Sequence, residues 1–363
     1  MKNMRIRIVS YEDINAWILG KFARRLHDEL LKLGVNADIS NVVDHTADIN
    51  HHIIYTGYDI AKASAMDTLM ITHVDDTKKL DLLSAQMLVA KAGICMSRSV
   101  MNELVSAGLP ENKILFINPA HDGLIKTKKI VIGITSKVQP DGCKREYLVE
   151  ELFNHISPEI FSLSIMGAGW NRIVERIRAK GFIVDYIDEF DYDKYIYFVP
   201  TFDYYLYTGQ DEGSMGFIDA LAAGIQTVVT PQGYHLDASD GITYAFNEGD
   251  ELITIFKKIE QKKIALQEAV ADWTWRDYAI KHLEVWRYLL HAPIENEGIQ
   301  SRYTDGLNSL LMPKEILAAD KIKEMKKKMR IETIKKTIYR ARKTGGFQFL
   351  KKKIIGLINI RKK

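Results

Sequence analysis

Short β-branched runs alternate with amphipathic stretches through most of the chain. Residues 5–10 (RIRIVS) read as a buried strand. A helix-spaced apolar pattern follows from Ile14 to Leu33 and stops at Gly34. Strand-like runs recur at 35–40, 53–56, 68–72, 93–96 and 114–118, with helical patterns at 80–91 and 99–107 between them. The alternation then restarts, with strands expected at 130–135, 161–166, 183–186, 204–207 and 227–229. Helices are expected at 146–155, 172–180 and 216–223. Such alternation argues for α/β architecture, with parallel sheets covered on both faces. Two doubly wound, Rossmann-like domains in tandem, residues 1–122 and 123–291, account for it. The join falls near 122–129, and ligands in such sheets bind beyond the carboxyl ends of the strands.

Beyond residue 291 the pattern changes. Residues 292–309 are polar and irregular, and from Pro313 the chain reads as a basic helical extension. The net charge of +3 hides this asymmetry. Residues 321–363 carry 17 Lys and Arg against two acids, Glu324 and Glu332, leaving 33 basic and 45 acidic groups in the first 320 residues. Aliphatic residues such as Ile331, Ile334, Ile338, Ile354, Ile355 and Leu357 are interleaved with the cations. An apolar face beside a dense cationic one suits an anionic membrane surface. A protein partner ranks second. Nucleic acid ranks last, because the tail has few aromatics for stacking. No run of about 18 apolar residues is present, and the opening MKNMRIRIVSYED reads as a first strand rather than a signal peptide. Cys95 and Cys143 lack metal-like spacing and read as reduced thiols, so a cytoplasmic, peripherally membrane-associated protein is expected.

One stretch carries the candidate chemistry. Residues 211–230 read DEGSMGFIDALAAGIQTVVT: two acids eight positions apart, a Gly/Ser turn, an Ala-rich helix ending at Gly224, then a β-branched strand. The start of that helix, with its free amides and positive dipole end, is suited to an anion. Acids beside an anion site need another part of the ligand to serve, although an Asp at a turn is also an ordinary helix cap.

The segment resembles the nucleotide-sugar motif of retaining GT-B glycosyltransferases, family four especially. The resemblance places Asp211 beside the donor sugar, Asp219 on ribose hydroxyls, and Ser214, Met215, Gly216 and Phe217 around the donor phosphates. The family usually has glutamate at both acid positions. The run IGITSK (132–137) followed by GCKRE (142–146) is similar to the family's strand and loop that offer an Arg and a Lys to the diphosphate. Lys137 stands at the Arg position and Lys144 at the Lys, while Gly133 and the Gly167-Ala168-Gly169 turn fall near the nucleotide. His73, in ITHVD, matches a strand-end histidine that contacts a donor-sugar hydroxyl, and Asp13 is an acceptor-side candidate that could equally cap a helix. The resemblance covers roughly residues 4 to 290 and implies hexosyl-type transfer from a nucleoside diphosphate sugar to a glycan or lipid-linked glycan, in surface polysaccharide or glycolipid synthesis. It implies no cofactor and no metal. Asp191 and Asp193, in DEFDYD, have DxD spacing but read as surface or turn acids. The departures at Asp211, Asp219 and Lys137 sustain a rival reading, a catalytically silent GT-B binding or scaffold subunit. The tail makes its own claim: a peptide of residues 321–363 is expected to bind anionic but not neutral vesicles at low salt, and to release as salt rises. Absence of binding in a co-sedimentation assay would remove the membrane assignment.

Overall fold

The computed structural model describes residues 4–291. Two six-stranded parallel sheets organise them. The first comprises β1 (Arg5–Val9), β2 (Asn36–Ser40), β3 (Ile49–His52), β4 (Asp67–Ile71), β5 (Ala92–Cys95) and β6 (Ile114–Phe116), in the order β2-β1-β3-β4-β5-β6. Helices α1 (Ile18–Lys32), α2 (Thr77–Val89) and α3 (Arg98–Ser106) connect them. The second comprises β7 (Ile130–Ile134), β8 (Phe161–Met166), β9 (Val184–Ile187), β10 (Tyr204–Tyr207), β11 (Gln226–Val229) and β12 (Tyr244–Ala245), in the order β12-β11-β10-β7-β8-β9. Its helices are α4 (Glu146–His155), α5 (Asn171–Ala179), α6 (Tyr192–Phe198), α7 (Met215–Ala222), α8 (Gly249–Glu268) and α9 (Trp275–His291). The expected α/β architecture of two Rossmann-like domains is therefore present; the basic extension from residue 292 lies outside the described residues.

The second sheet is covered on both faces, as its apolar strands require. One layer joins Ile132, Ile134, Leu163 and Ile165 to Leu152 of α4, Ile177 of α5 and Phe256 of α8. The other joins Met166, Tyr205, Tyr207 and Val229 to Phe198, Phe217 and Ala220. Strand order reverses between β7 and β10, where the chain leaves the β9 edge and returns to the middle. Connections on either side of that point diverge, which opens a crevice at the carboxyl ends of β7 and β10.

Several elements depart from the pattern reading. Helix α1 begins at Ile18 rather than Ile14, because Asp13 holds a preceding turn: its carboxylate accepts from the Asn15 amide (2.9 Å) and its carbonyl from Ala16 (3.2 Å). Gly20 makes this turn fit, since a Cβ there would lie 2.3 Å from the Asp13 carbonyl oxygen. Strand β3 is INHH at 49–52 and not the expected 53–56, where Tyr55–Gly57 forms a single 3₁₀ turn. A central strand can bury Asn and His because side chains satisfy them: Asn50 bonds the Asp44 carbonyl and Ser64, His51 bonds Thr68, and His52 bonds Tyr11. His51 and His52 thus close β3. Helices α6 and α8 were not expected; Asp191 caps α6, accepting from the Lys194 amide at 3.2 Å, and a Glu248–Glu251 capping box starts α8.

Helix α9 returns to the first sheet. Trp275 and Tyr278 meet Phe22 of α1 edge-on at 5.2 and 5.8 Å. Trp275 Nε1 donates to Asp122, which also pairs with Lys21 and Arg25. Deeper in, Trp286 Nε1 donates to Thr68 Oγ1 (3.2 Å), and the His51 and His282 rings lie 5.0 Å apart, both fully buried. His282 Nδ1 donates to the Tyr278 carbonyl (2.8 Å), while its Nε2 has no partner.

Burial lowers the pKa of His282 to about 4 and pushes His51 well below its ordinary value. The unfolded chain therefore binds more protons than the folded one between pH 6.5 and 4, and stability falls as pH drops through that window. His282 alone corresponds to about 3 kcal/mol once pH is below both values. Urea unfolding at pH 7 and pH 5 is expected to show lower stability at pH 5, with a smaller loss in His282→Asn, which keeps a donor for the Tyr278 carbonyl. An equal pH dependence in the two proteins would refute this assignment.

Candidate active site

The crevice at the β7–β10 reversal is built by loops that follow the strands. The loop after β7, residues 135–145, is pinned to the turn after β8. Trp170 Nε1 donates to the Ser136 carbonyl (2.6 Å), and Val138 donates its amide to the Ala168 carbonyl (3.0 Å). Gly167 permits this approach: it has φ +143°, and a Cβ would fall 2.3 Å from the Ser136 oxygen. Gly169 receives Val138 in the same way, and its amide donates to Asp188 (3.3 Å).

The loop ends in two consecutive cations that point to different tasks. Lys144 reaches into the crevice. It donates to Asp211 Oδ2 and to Tyr207 Oη (2.6 Å), and Tyr207 in turn donates to Asp211 at 2.7–2.8 Å. Asp211 also accepts from the Gly213 amide (3.0 Å), and its own amide donates to Gln232 Oε1 (3.0 Å). Burial would raise the Asp211 pKa, but hydrogen bonds from Lys144, Tyr207 and Gly213 outweigh it and the net shift is downward. Tyr207 shifts upward, through burial first and the Asp211 carboxylate second. The cluster thus holds an ionised Asp211, a protonated tyrosine and an ammonium group.

Arg145 turns inward. Its Nε donates to the Thr208 carbonyl, its Nη1 to the Asn247 carbonyl and its Nη2 to Thr230 Oγ1, each at 2.6 Å. Those oxygens follow β10, β11 and β12, so one guanidinium ties together three strand ends. Its backbone is left-handed (φ 46°), the only such non-glycine among the described residues. Burial lowers its pKa, and no carboxylate lies within ion-pair distance of it among the described residues.

Helix α7 starts at the same place. The Ser214 amide donates to His235 Nε2 (2.9 Å), and His235 Nδ1 meets the Thr230 carbonyl (3.1 Å). A carbonyl can only accept, so the Nδ1–H tautomer is fixed; burial lowers the His235 pKa, consistent with a neutral ring. The next amides, of Met215 and Gly216, have no partner within the helix. Gly216 lets α7 settle on β7 and β10, for a Cβ would lie 1.9 Å from Thr135 Oγ1 and 2.6 Å from Tyr205 Oη.

The structure brings Lys144, Asp211, Ser214, Met215, Gly216 and Phe217 together around this crevice, and Asp219 follows on α7. Asp219 accepts from Tyr195 Oη at 2.6 Å. Gly133 lies beneath Phe202, whose ring would be 2.0 Å from a Cβ, so its bare face is filled by protein. Phe217 is fully buried and its amide donates to the Ser214 carbonyl (3.0 Å), so it packs behind the site rather than facing a ligand. Lys137 is in the same loop as Lys144 but makes no hydrogen bond or ion pair with the Asp211 group. His73 is exposed after β4, its carbonyl anchored by Tyr55 (3.0 Å), and Asp13 is engaged in its turn in the first domain. Among the described residues no hydrogen bond or ion pair joins either to the Asp211 group. Sequence reading missed Arg145, Tyr207, Gln232, His235 and Tyr195. Only Tyr207 left a trace: with Tyr205 it occupies alternate positions of β10, and therefore one face. Among the described residues no group of three or more His, Cys, Asp or Glu side chains could hold a metal ion, and no helix is long and apolar enough to cross a membrane.

No family model matches the chain, and no curated protein matches it. Among solved structures, it is similar to Anabaena Alr3699/HepE in complex with UDP and glucose, at 13% identity and a TM-score of 0.30, covering 84% of this chain and 100% of that one. It is similar to a glycosyltransferase from Rickettsia africae ESF-5, at 12% identity and a TM-score of 0.33, covering 81% and 100%. A third is the lipopolysaccharide outer core galactosyltransferase WaaB, at 11% identity and a TM-score of 0.32, covering 78% and 99%.

Arg145 supplies the site's sharpest structural test. Arg145→Met leaves three oxygens without their donors and is expected to cost about 3 kcal/mol or more in urea unfolding. Arg145→Gly relieves the left-handed backbone and is expected to recover only about 1 kcal/mol of that loss. Wild-type stability in Arg145→Met would show that the guanidinium does not hold the strand ends.

Proposed function

We propose that the chain is a glycosyltransferase that moves a hexosyl unit from a nucleoside diphosphate sugar to a glycan or lipid-linked glycan acceptor. The observation that carries this reading is Lys144. A cation is aimed at the carboxyl ends of β7 and β10, beside the first turn of α7 and in contact with Asp211 and Tyr207. A diphosphate leaving group needs a cation and unpaired amides at one place. In this reading Lys144 passes from Asp211 to the diphosphate as the donor binds, and the Met215 and Gly216 amides meet the phosphate oxygens. The C1–O bond to the diphosphate breaks, positive charge develops on the sugar, and the acceptor hydroxyl attacks the same face while its proton passes to the departing phosphate oxygen, so the anomeric configuration is retained. Asp211, kept ionised and fixed by Tyr207, is the donor-sugar group released by this exchange. Lys137 is assigned as a second phosphate contact, His73 as a donor-sugar contact and Asp13 as an acceptor contact. Positioning and electrostatics supply the rate, and no metal is assigned a role. Surface polysaccharide or glycolipid assembly in the cytoplasm, with residues 321–363 on an anionic membrane surface, completes the proposal.

A second reading has its own support. Lys144 is already neutralised by Asp211, and the Ser214 amide is already taken by His235, an arrangement equally suited to a catalytically silent subunit. Release of nucleoside diphosphate from a panel of nucleotide sugars separates the two. Wild type is expected to turn over one donor family, at the same rate with or without EDTA, and Lys144→Met to lose about 100-fold or more in kcat. Binding of nucleotides without release of nucleoside diphosphate would establish the silent reading instead.

A further inference from the structure

The segment between β6 and β7 ends in residues 121–129 (HDGLIKTKK), which pack along the end of α8. The His121 amide donates to the Trp273 carbonyl (2.8 Å) and its Nε2 to the Val270 carbonyl (3.1 Å), while Nδ1 accepts from the Gly123 amide (3.1 Å). Further on, Gln267 Nε2 donates to Thr127 Oγ1 at 2.9 Å. Between these anchors Gly123 takes a left-handed backbone (φ +66°), and the chain presents Leu124 and Ile125 to solvent, 75% and 95% exposed. Leu266, next to Gln267 on α8, is 66% exposed. Aliphatic side chains held outward by bonds on both flanks mark an interaction surface.

The charge around this patch points to what covers it. Residues 121–129 and 257–272 carry seven lysines against four acids, whereas the first 320 residues carry 33 basic against 45 acidic groups. Two of the four acids are occupied: Asp122 pairs with Lys21 and Arg25, and buried Glu260 holds Lys257 and the Ser157 amide. The other two are Glu268 and Asp272. Lys258, Lys262 and Leu266 recur every four residues and so share one face of α8. Among the described residues no carboxylate lies within ion-pair distance of Lys126, Lys262 or Lys263. The basic tail does not suit such a surface, since its 17 Lys and Arg meet only two acids and like charges repel. Nucleic acid would call for stacking aromatics, and neither segment has one. An anionic lipid surface meets both halves, with aliphatics entering the acyl boundary and ammonium groups at the headgroup phosphates. We infer that the loop 123–127 and the last turns of α8 form a membrane-seating surface of the folded body. Leu124, Ile125 and Leu266 enter an anionic bilayer, and Lys126, Lys262 and Lys263 lie at its headgroups. This surface uses no residue of the crevice and none of residues 321–363, so it stands or falls apart from both.

An environment-sensitive fluorophore on Ile125→Cys in the full chain tests this, with Cys143→Ser removing a partly exposed thiol; Cys95 is buried. With mixed phosphatidylglycerol–phosphatidylcholine vesicles its emission is expected to shift to the blue and to be quenched by lipids brominated in the acyl chain. Neither change is expected with phosphatidylcholine alone. The same probe on Tyr197→Cys of α6, which covers the opposite face of the second sheet from α8, is expected to stay in water. Leu124→Ser with Ile125→Ser is expected to weaken partition of the full chain onto the anionic vesicles about tenfold. Lys262→Gln with Lys263→Gln repeats the test from the charged side, with a loss of about 10- to 30-fold that shrinks as salt rises. Vesicle binding with the probe at 125 still in water, or unchanged partition in both double variants, would leave the tail as the anchor and overturn the inference. Entry of the probe at 197 instead would overturn it too. A blue shift that grows with protein concentration in the absence of lipid would assign the patch to a second copy of the chain, and absence of vesicle binding would remove the membrane from the account.

Discussion

A buried guanidinium held by neutral oxygens, with no carboxylate in ion-pair distance among the described residues, is the constraint on which the site depends. Removing a cation from water is costly unless hydrogen bonds replace its hydration. Arg145 finds three such bonds, to Thr208, Thr230 and Asn247, and those residues follow three different strands. Satisfying one side chain therefore sets the spacing of the β10, β11 and β12 loops at once. The β10 loop leads to Asp211 and the β11 loop carries Gln232 and His235, so their places follow from that spacing. The strained backbone at Arg145 belongs with this tie: a left-handed turn sends consecutive side chains apart, Arg145 into the scaffold and Lys144 into the crevice.

The crevice has a frame bonded to itself and a charged pair at its centre. Gln232 bridges the Asp211 amide and the Gly209 carbonyl, His235 bridges the Ser214 amide and the Thr230 carbonyl, and both bridges are internal to the scaffold. Lys144 and Asp211, both partly buried beside the buried Tyr207, form a different kind of contact, a charged one in which an incoming anion can compete for the ammonium. Preorganised dipoles around a replaceable ion pair are what a site needs to stabilise charge on a leaving group without reorganising its walls.

Much of this was legible in the sequence, and the limits have physical causes. Strands such as FSLSIM at 161–166 and YYLY at 204–207 were readable because both faces of a parallel sheet are buried. The INHH of β3 was not, because its burial is made acceptable by Thr68, Ser64 and Tyr11, which lie far away in sequence. Asp211 and Lys144 could be picked from local spacing and the resemblance it supported. Arg145 could not, since its three partners are 63 to 102 residues distant. Tyr195 sits in an acid-rich stretch that reads as a surface turn, and only the packing of α6 beside α7 reveals its bond to Asp219. Gly133 shows the converse: its place in a familiar pattern pointed to a ligand, while the structure covers it with Phe202.

In the proposed reaction the Lys144 ammonium and the start of α7 form the cradle for a donor diphosphate. The most direct measurement is a crystal structure with the nucleoside diphosphate that binds best. The account predicts a phosphate oxygen within about 3 Å of Lys144 Nζ, with Lys144 withdrawn from Asp211 and the Met215 or Gly216 amide donating to the same phosphate. A diphosphate bound elsewhere, with the Lys144–Asp211 pair intact, would contradict it.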